Sequence, residues 1–176
     1  MYRTYSSELT FVDCLWHIRV EALSAWTDTA RETWGLAFTR RTDGSMAAEL
    51  VGPSYRHMTF GGDLGDEYWG ADFHPHVTMR GVDKPLLTGR FVPLPVADGH
   101  FWIGAVSYRI PAFSELEAFL AELASQGLIL ERADAVLDRE TVSRRSNQRR
   151  YRQAVGLSRR QSEQIRRAAK AAALLK

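Results

Sequence analysis

The chain has 176 residues, of which 45% are hydrophobic and 25% are charged, and this balance excludes a mainly disordered protein. Its only cysteine, Cys14, excludes an intramolecular disulfide and a multi-cysteine metal site, and this cysteine usage fits a reducing cytoplasm. The N-terminus has no basic segment followed by a long apolar run, and no stretch reaches membrane-spanning length. We therefore expect a soluble, unexported, cytoplasmic protein with no membrane partner.

The formal net charge of +2 conceals a strong asymmetry along the chain. Residues 139–176 contain 12 Lys and Arg against 2 acidic residues, a balance of +10. The remaining 11 basic and 19 acidic residues, out of 23 and 21 in the whole chain, give −8. This arrangement is expected if the basic segment binds a polyanion while the acidic body repels it. A solvated basic helix without a partner is the alternative.

Six segments in the first part of the chain combine strand-forming residues with flanking turn signals. Their ranges are 10–20, 33–39, 46–51, 56–60, 68–73 and 101–109. In the first segment Trp16, Ile18 and Val20 make one face apolar, and we expect that face to cover a core. Residues 1–110 are therefore predicted to form an antiparallel β-sandwich or barrel.

The periodicity changes after Pro111, where the chain becomes helical in character. Ser114 and Glu117 have the spacing of a Ser-x-x-Glu capping box, which predicts a helix from near Glu115, and Gly127 marks its end. Residues that share the spacing of a buried helical stripe are Leu116, Phe119, Leu120 and Leu123. Residues 111–138 are thus assigned to a connecting helix and linker.

Two more helices are predicted in the C-terminal segment, residues 139–176. One covers about 143–154, and the other begins at Ser158, where Ser158 and Gln161 have capping-box spacing. Gly156 separates them, as a left-handed helix end requires. The fold class is therefore α+β, with strands first and helices last.

The first of these two helices carries the chemistry that DNA recognition needs. Arg145, Gln148, Arg149 and Arg152 follow i, i+3, i+4, i+7 spacing, so they project from one helical face. Gln pairs well with adenine, and Arg pairs with guanine or holds phosphates. The spacing permits a recognition helix.

Residues 142–158 read VSRRSNQRRYRQAVGLS, and they resemble the recognition helix and following turn of AraC/XylS-type bacterial transcription regulators. The family pattern is Leu-Ser-x-Arg-x-Leu-x-Arg-x-Phe-x-x-x-x-Gly-Leu-Ser. Residues 164–175 are similar to that family's linker helix, and residues 101–104 and 110–119 look like the passage from sensor to DNA-binding region in members with a cupin-like N-terminal domain. Residues 11–16 also resemble the first strand of those members.

The resemblance implies a DNA-binding regulator whose cupin-like β domain senses a small-molecule effector or dimerises. It implies that Arg145, Gln148 and Arg149 face bases and that Arg144 and Arg152 face phosphates. Because one recognition helix binds weakly alone, we expect a homodimer formed through the β domain.

Two departures from the family pattern affect this expectation. The sequence ends at Lys176, where the family's second helix-turn-helix begins, so we expect a single partial unit. Asn147 replaces an apolar residue, and an unsatisfied buried amide costs about 1–3 kcal/mol. Tyr151 replaces Phe, so its hydroxyl needs a partner.

Other functions were weighed on the same residues. His74 and His76 resemble a pair of metal ligands, but Pro75 between them indicates a strand end and no Glu follows at a suitable spacing, so we expect no metal. Cys14 is expected to be a small buried hydrophobe. Since no acid/base pair emerges, we predict neither a cofactor nor an enzyme. The remaining alternative is a ligand-binding or dimerisation module without effective DNA binding.

Overall fold

The structure is a computed structural model that describes residues 2–22, 25–132 and 142–174. At residues 25 and 26 it describes the backbone alone. The end of the predicted linker, 133–138, and the first residues of the predicted basic segment, 139–141, lie outside the described residues. Residues 175 and 176, at the end of the predicted basic segment, also lie outside them.

The described residues form an α+β fold, with antiparallel strands in the N-terminal part and helices in the C-terminal part. The strands are β1 (Tyr2–Tyr5), β2 (Val12–Arg19), β3 (Ala25–Asp28), β4 (Trp34–Arg40), β5 (Met46–Val51), β6 (Met58–Gly61), β7 (Glu67–Phe73), β8 (Val77–Met79), β9 (Phe91–Leu94), β10 (Val96–Ala97), β11 (His100–Ile103), β12 (Val106–Arg109) and β13 (Ile129–Glu131). The helices are α1 (Lys84–Leu87), α2 (Leu116–Ser125), α3 (Arg144–Val155) and α4 (Arg159–Ala173), and a 3-10 turn (Phe113–Glu115) precedes α2.

Six strands form the main antiparallel sheet, in the order β1-β2-β7-β4-β5-β9. Strands β3 and β6 form a separate two-stranded ribbon, β10, β11 and β12 form a small sheet, and β13 pairs with β8. The strand predicted over 101–109 is therefore wrong as one element. Gly104 adopts φ +62°, which turns the chain between β11 and β12.

One face of the main sheet covers the hydrophobic core. Leu36, Phe38 and Ala71 on that face are fully buried, and Phe101 and Leu120 pack against them from the small sheet and α2. Fully burying each large apolar side chain contributes about 1.5–3 kcal/mol before conformational entropy is counted. This core joins the β-rich part to α2.

The expectation for the first strand is wrong about which face covers the core. Leu15 lies opposite Ala71 and packs in the core, whereas Trp16 and Ile18 lie on the other face of the sheet. His17 shares the core face, where its ring stacks on Phe113 at 4.9 Å between centroids. The apolar alternation in β2 therefore lines a cavity.

The start of α2 differs from the predicted capping box. The Glu115 carboxylate accepts a hydrogen bond from the Ala112 backbone N–H at 3.0 Å, two residues earlier in the chain than the predicted Ser114–Glu117 pair. Glu117 instead accepts hydrogen bonds from the Ser7 hydroxyl and the Glu8 backbone N–H. The Glu117 side chain thereby links α2 to the segment between β1 and β2.

The ends of α3 and α4 agree with the sequence signals. Ser143 caps α3 by accepting a hydrogen bond from the Ser146 backbone N–H, and Gly156 ends it with φ +87°. Ser158 and Gln161 form the capping box that begins α4. Residues close in sequence therefore fix the start and end of α3 and the start of α4.

Candidate nucleic-acid interface and ligand cavity

The five residues predicted to contact DNA all lie on α3 and are all exposed: Arg144, Arg145, Gln148, Arg149 and Arg152. The opposite face of α3 is buried, with Tyr151 at 4% exposure and Val155 at 1%. A helix held along one face presents its other face to solvent as a rigid array. Four long cationic side chains and one amide therefore project together from the protein surface.

The buried face of α3 packs on the β-rich part through α1 and β8. The Gln153 amide donates a hydrogen bond to the Asp83 carboxylate at 2.7 Å, and the Thr88 hydroxyl donates to the Gly156 carbonyl at 2.8 Å. Pro53 lies so close to Gly156 that an added Cβ would be 2.8 Å from its Cγ. The position of α3 is therefore set by contacts at its C-terminal end.

Both substitutions in α3 relative to the family pattern, Asn147 and Tyr151, are accommodated in this packing. The half-buried Asn147 amide donates a hydrogen bond to the Val142 carbonyl at 3.3 Å. The Tyr151 hydroxyl interacts with Arg166, and the Arg159 guanidinium lies 4.5 Å from the Tyr151 ring centroid. The Asn147 amide and the Tyr151 hydroxyl thus have polar partners, whereas the buried Ser162 hydroxyl of α4 has none among the described residues.

Helix α4 is tied by an ion pair to the connection between β3 and β4. The Arg166 guanidinium donates two hydrogen bonds to the Glu32 carboxylate, at 2.7 and 3.1 Å, and this carboxylate raises the pKa of Arg166. Further exposed cations on α4 are Arg160, Arg167 and Lys170. Glu163 is the one acidic residue within 142–174, so this part of the surface stays strongly positive.

A cavity of about 770 Å³ lies between the other face of the main sheet and the β3–β6 ribbon. Its size falls within the ~300–1,000 Å³ of typical small-molecule sites. Trp16 and Ile18 from β2, Phe60 from β6 and Phe91 from β9 supply much of its apolar wall. An effector site in the β domain was expected from the family resemblance, but the residues that line this cavity were not predicted, although the apolar alternation in β2 was a signal of them.

An arginine of the cavity is matched by two carboxylates. One terminal nitrogen of Arg31 lies 2.6 Å from Asp72 Oδ2, and its Nε lies 3.3 Å from Asp28 Oδ2. Burial raises the pKa of Asp72 to about 6, although the Arg31 charge acts to lower it. Arg31 therefore offers a ligand little unmatched positive charge.

Glu49 on β5 is a half-buried carboxylate that lines the cavity. Burial raises its pKa, and the Arg41 charge acts on it through space in the opposite direction. Among residues 2–22, 25–132 and 142–174, none donates a hydrogen bond to the Glu49 carboxylate. Its charge is free to interact with a ligand.

The other candidate groups offer little chemistry. Burial raises the pKa of the Cys14 thiol to about 12, which keeps it protonated and weakly nucleophilic at neutral pH. The His74 and His76 rings are stacked 5.7 Å apart, and each faces a different carboxylate, Asp13 and Glu131. Within the described part of the chain no three His, Cys, Asp or Glu side chains converge on a metal position.

Comparisons with protein-family models, with curated proteins and with solved structures found no match. Within the ranges that the structure describes, no helix is both long and apolar enough to cross a bilayer.

Proposed function

We propose that the protein is a DNA-binding transcription regulator of the AraC/XylS type, with α3 as its recognition helix and a cupin-like, ligand-sensing β domain. The observation that carries this proposal is the exposed outer face of α3, where all five predicted contact residues are available to a groove. In this proposal residues 139–176 form a partial helix-turn-helix together with its linker helix.

The residues of α3 divide into two roles. Arg145, Gln148 and Arg149 face base edges, where Arg pairs with guanine and Gln with adenine. Arg144 and Arg152 hold phosphates and fix the register of the helix on the duplex. Residues 1–138, with their balance of −8, repel the DNA and limit contact to the helical end.

The connection between β3 and β4 supports a sensing role. Within it, Arg31 lines the cavity and binds Asp72, while the adjacent Glu32 binds Arg166 of α4. A ligand that moves Arg31 would therefore also move Glu32 and change how the helices are held. Two distinct sites joined by one short segment are what coupling between ligand and DNA requires.

Selection from a pool of short random-sequence duplexes tests the regulator proposal. The intact protein is expected to enrich a preferred sequence, and Arg149→Ala should cost about 1–3 kcal/mol at one base position of it. The control is Arg109→Ala, which removes the same charge from β12, distant in sequence from α3. Equal losses on every sequence would reassign Arg149 to phosphate, and failure to enrich any sequence would refute specific DNA binding.

The second candidate is a ligand-binding or dimerisation module without effective DNA binding, and the cavity is the observation that favours it. The two candidates differ in their response to salt. A regulator keeps its preference for one DNA sequence as the salt concentration rises. A basic surface that contacts only phosphates loses its affinity for all DNA sequences equally. Sedimentation of the free and DNA-bound protein would show whether a dimer forms.

A further inference from the structure

The wall of the cavity around Glu49 is built from small side chains. In the register of the main sheet Glu49 lies opposite Ala37 on β4 and Pro93 on β9. Ala47, which precedes Glu49 by two residues on the same face of β5, also lines the cavity. Neighbours of this size leave the space beside the carboxylate open.

Three basic and three acidic side chains line the cavity, and among the described residues Glu49 has no cation within ion-pair distance. Arg31 is matched by Asp28 and Asp72, as described above. Arg19 and Glu21 are exposed and carry opposite charges. Arg41 is also exposed, so water screens its charge, whereas Glu49 is half-buried. Glu49 is therefore a half-buried carboxylate of the cavity wall that no contacting cation neutralises among the described residues.

Aromatic rings surround the same space. Phe60 of the β3–β6 ribbon and Phe91 of the main sheet contact each other edge to face, with centroids 5.0 Å apart. Trp16 and Tyr68 lie on the sheet side of the cavity. The electron-rich faces of such rings attract cations, and their large surfaces cover an apolar ligand body.

We propose that this cavity binds a small organic cation. Its ammonium or amidinium group donates hydrogen bonds to the Glu49 carboxylate, and its apolar body contacts Trp16, Phe60 and Phe91. The inference rests on the proposed function only in treating this ligand as the effector of a regulator. Ligand binding is measured without DNA. A protein that fails to bind amines therefore leaves the DNA-binding proposal standing, and a protein that fails to bind DNA leaves the ligand proposal standing.

Titration calorimetry with a panel of matched compounds tests the proposal on the full chain. Phenethylamine and tryptamine are the cationic probes, 2-phenylethanol is the neutral probe and 3-phenylpropionate is the anionic probe. The variant is Glu49→Gln, which keeps the shape of the side chain and removes its charge. The control is Glu163→Gln, which removes one acidic charge from the exposed surface of α4.

The proposal expects at least one amine to bind saturably and the neutral and anionic probes to bind weakly or not at all. Glu49→Gln should weaken amine binding roughly tenfold or more, because a hydrogen bond to a charged group is lost, while Glu163→Gln changes nothing. Because an unmatched half-buried charge opposes folding, Glu49→Gln should melt at the same temperature or higher, which separates lost binding from lost folding. No amine binding, stronger binding of the anion, or equal amine binding by Glu49→Gln would each overturn the proposal.

Discussion

Replacing Asp72 by Asn probes the balance between burial and ion pairing beneath the cavity. Asp72 is 6% exposed, and its pKa in the folded protein is about 6, against 3.8 for an ordinary Asp. That difference corresponds to about 3 kcal/mol of folding free energy. Because the folded pKa is raised, this contribution is fully present below the unfolded pKa of 3.8 and is lost as pH rises through 6.

Urea unfolding of the wild type and Asp72→Asn between about pH 4 and about pH 7 measures this dependence. The free energy of unfolding of the wild type, relative to the variant, should fall by up to about 3 kcal/mol over that range. Subtracting the variant removes the contributions of the other carboxylates. A difference that rises with pH would refute the reasoning, since it would mean that the Arg31 ion pair outweighs desolvation.

Two further predictions concern the ends of α3. Gly156→Ala should destabilise the protein by more than the ~1–2 kcal/mol expected for a left-handed residue, because its Cβ would be 2.8 Å from Pro53 Cγ. The control is Gly44→Ala, because Gly44 has φ +85° and open space around the new Cβ, so this variant should lose only the free energy of unfolding that the left-handed backbone costs. Equal losses of stability in the two variants would argue against a steric contact between residue 156 and Pro53. Ser143→Ala should cost about 1 kcal/mol and speed hydrogen exchange of the Ser146 amide, whereas Ser143→Asp should retain the cap. Unchanged exchange in Ser143→Ala would contradict the capping role.

The parts of the fold that could be predicted depend on local chemistry. Strands β2, β4, β5 and β7 are long enough for a clear pattern, and the caps at Ser143 and Ser158 act within one helical turn. Short strands such as β8 and β10, with three and two residues, carry too few side chains to show alternation. They form because a neighbouring strand, distant in sequence, offers them hydrogen bonds.

The cavity could not be predicted from the sequence because it depends on contacts across the chain. Trp16 and Ile18 form an apolar stripe whether they cover a core or a ligand site, and only the pairing of the sheet distinguishes the two. The Arg31–Asp72 pair joins residues 41 positions apart. By contrast, helical spacing alone places Arg145, Gln148, Arg149 and Arg152 on one face of α3, and all four are exposed in the structure.

The salt dependence of DNA affinity tests most directly whether the outer face of α3 contacts DNA. Fluorescence anisotropy of a labelled duplex is measured between about 50 and 200 mM salt, and the logarithm of the association constant is plotted against that of salt concentration. Each phosphate contact contributes a slope of about −0.9, so replacing Arg144 and Arg152 together by Ala should make the slope shallower by about 2, while Arg109→Ala leaves it unchanged. An unaltered slope in the double variant would contradict the account.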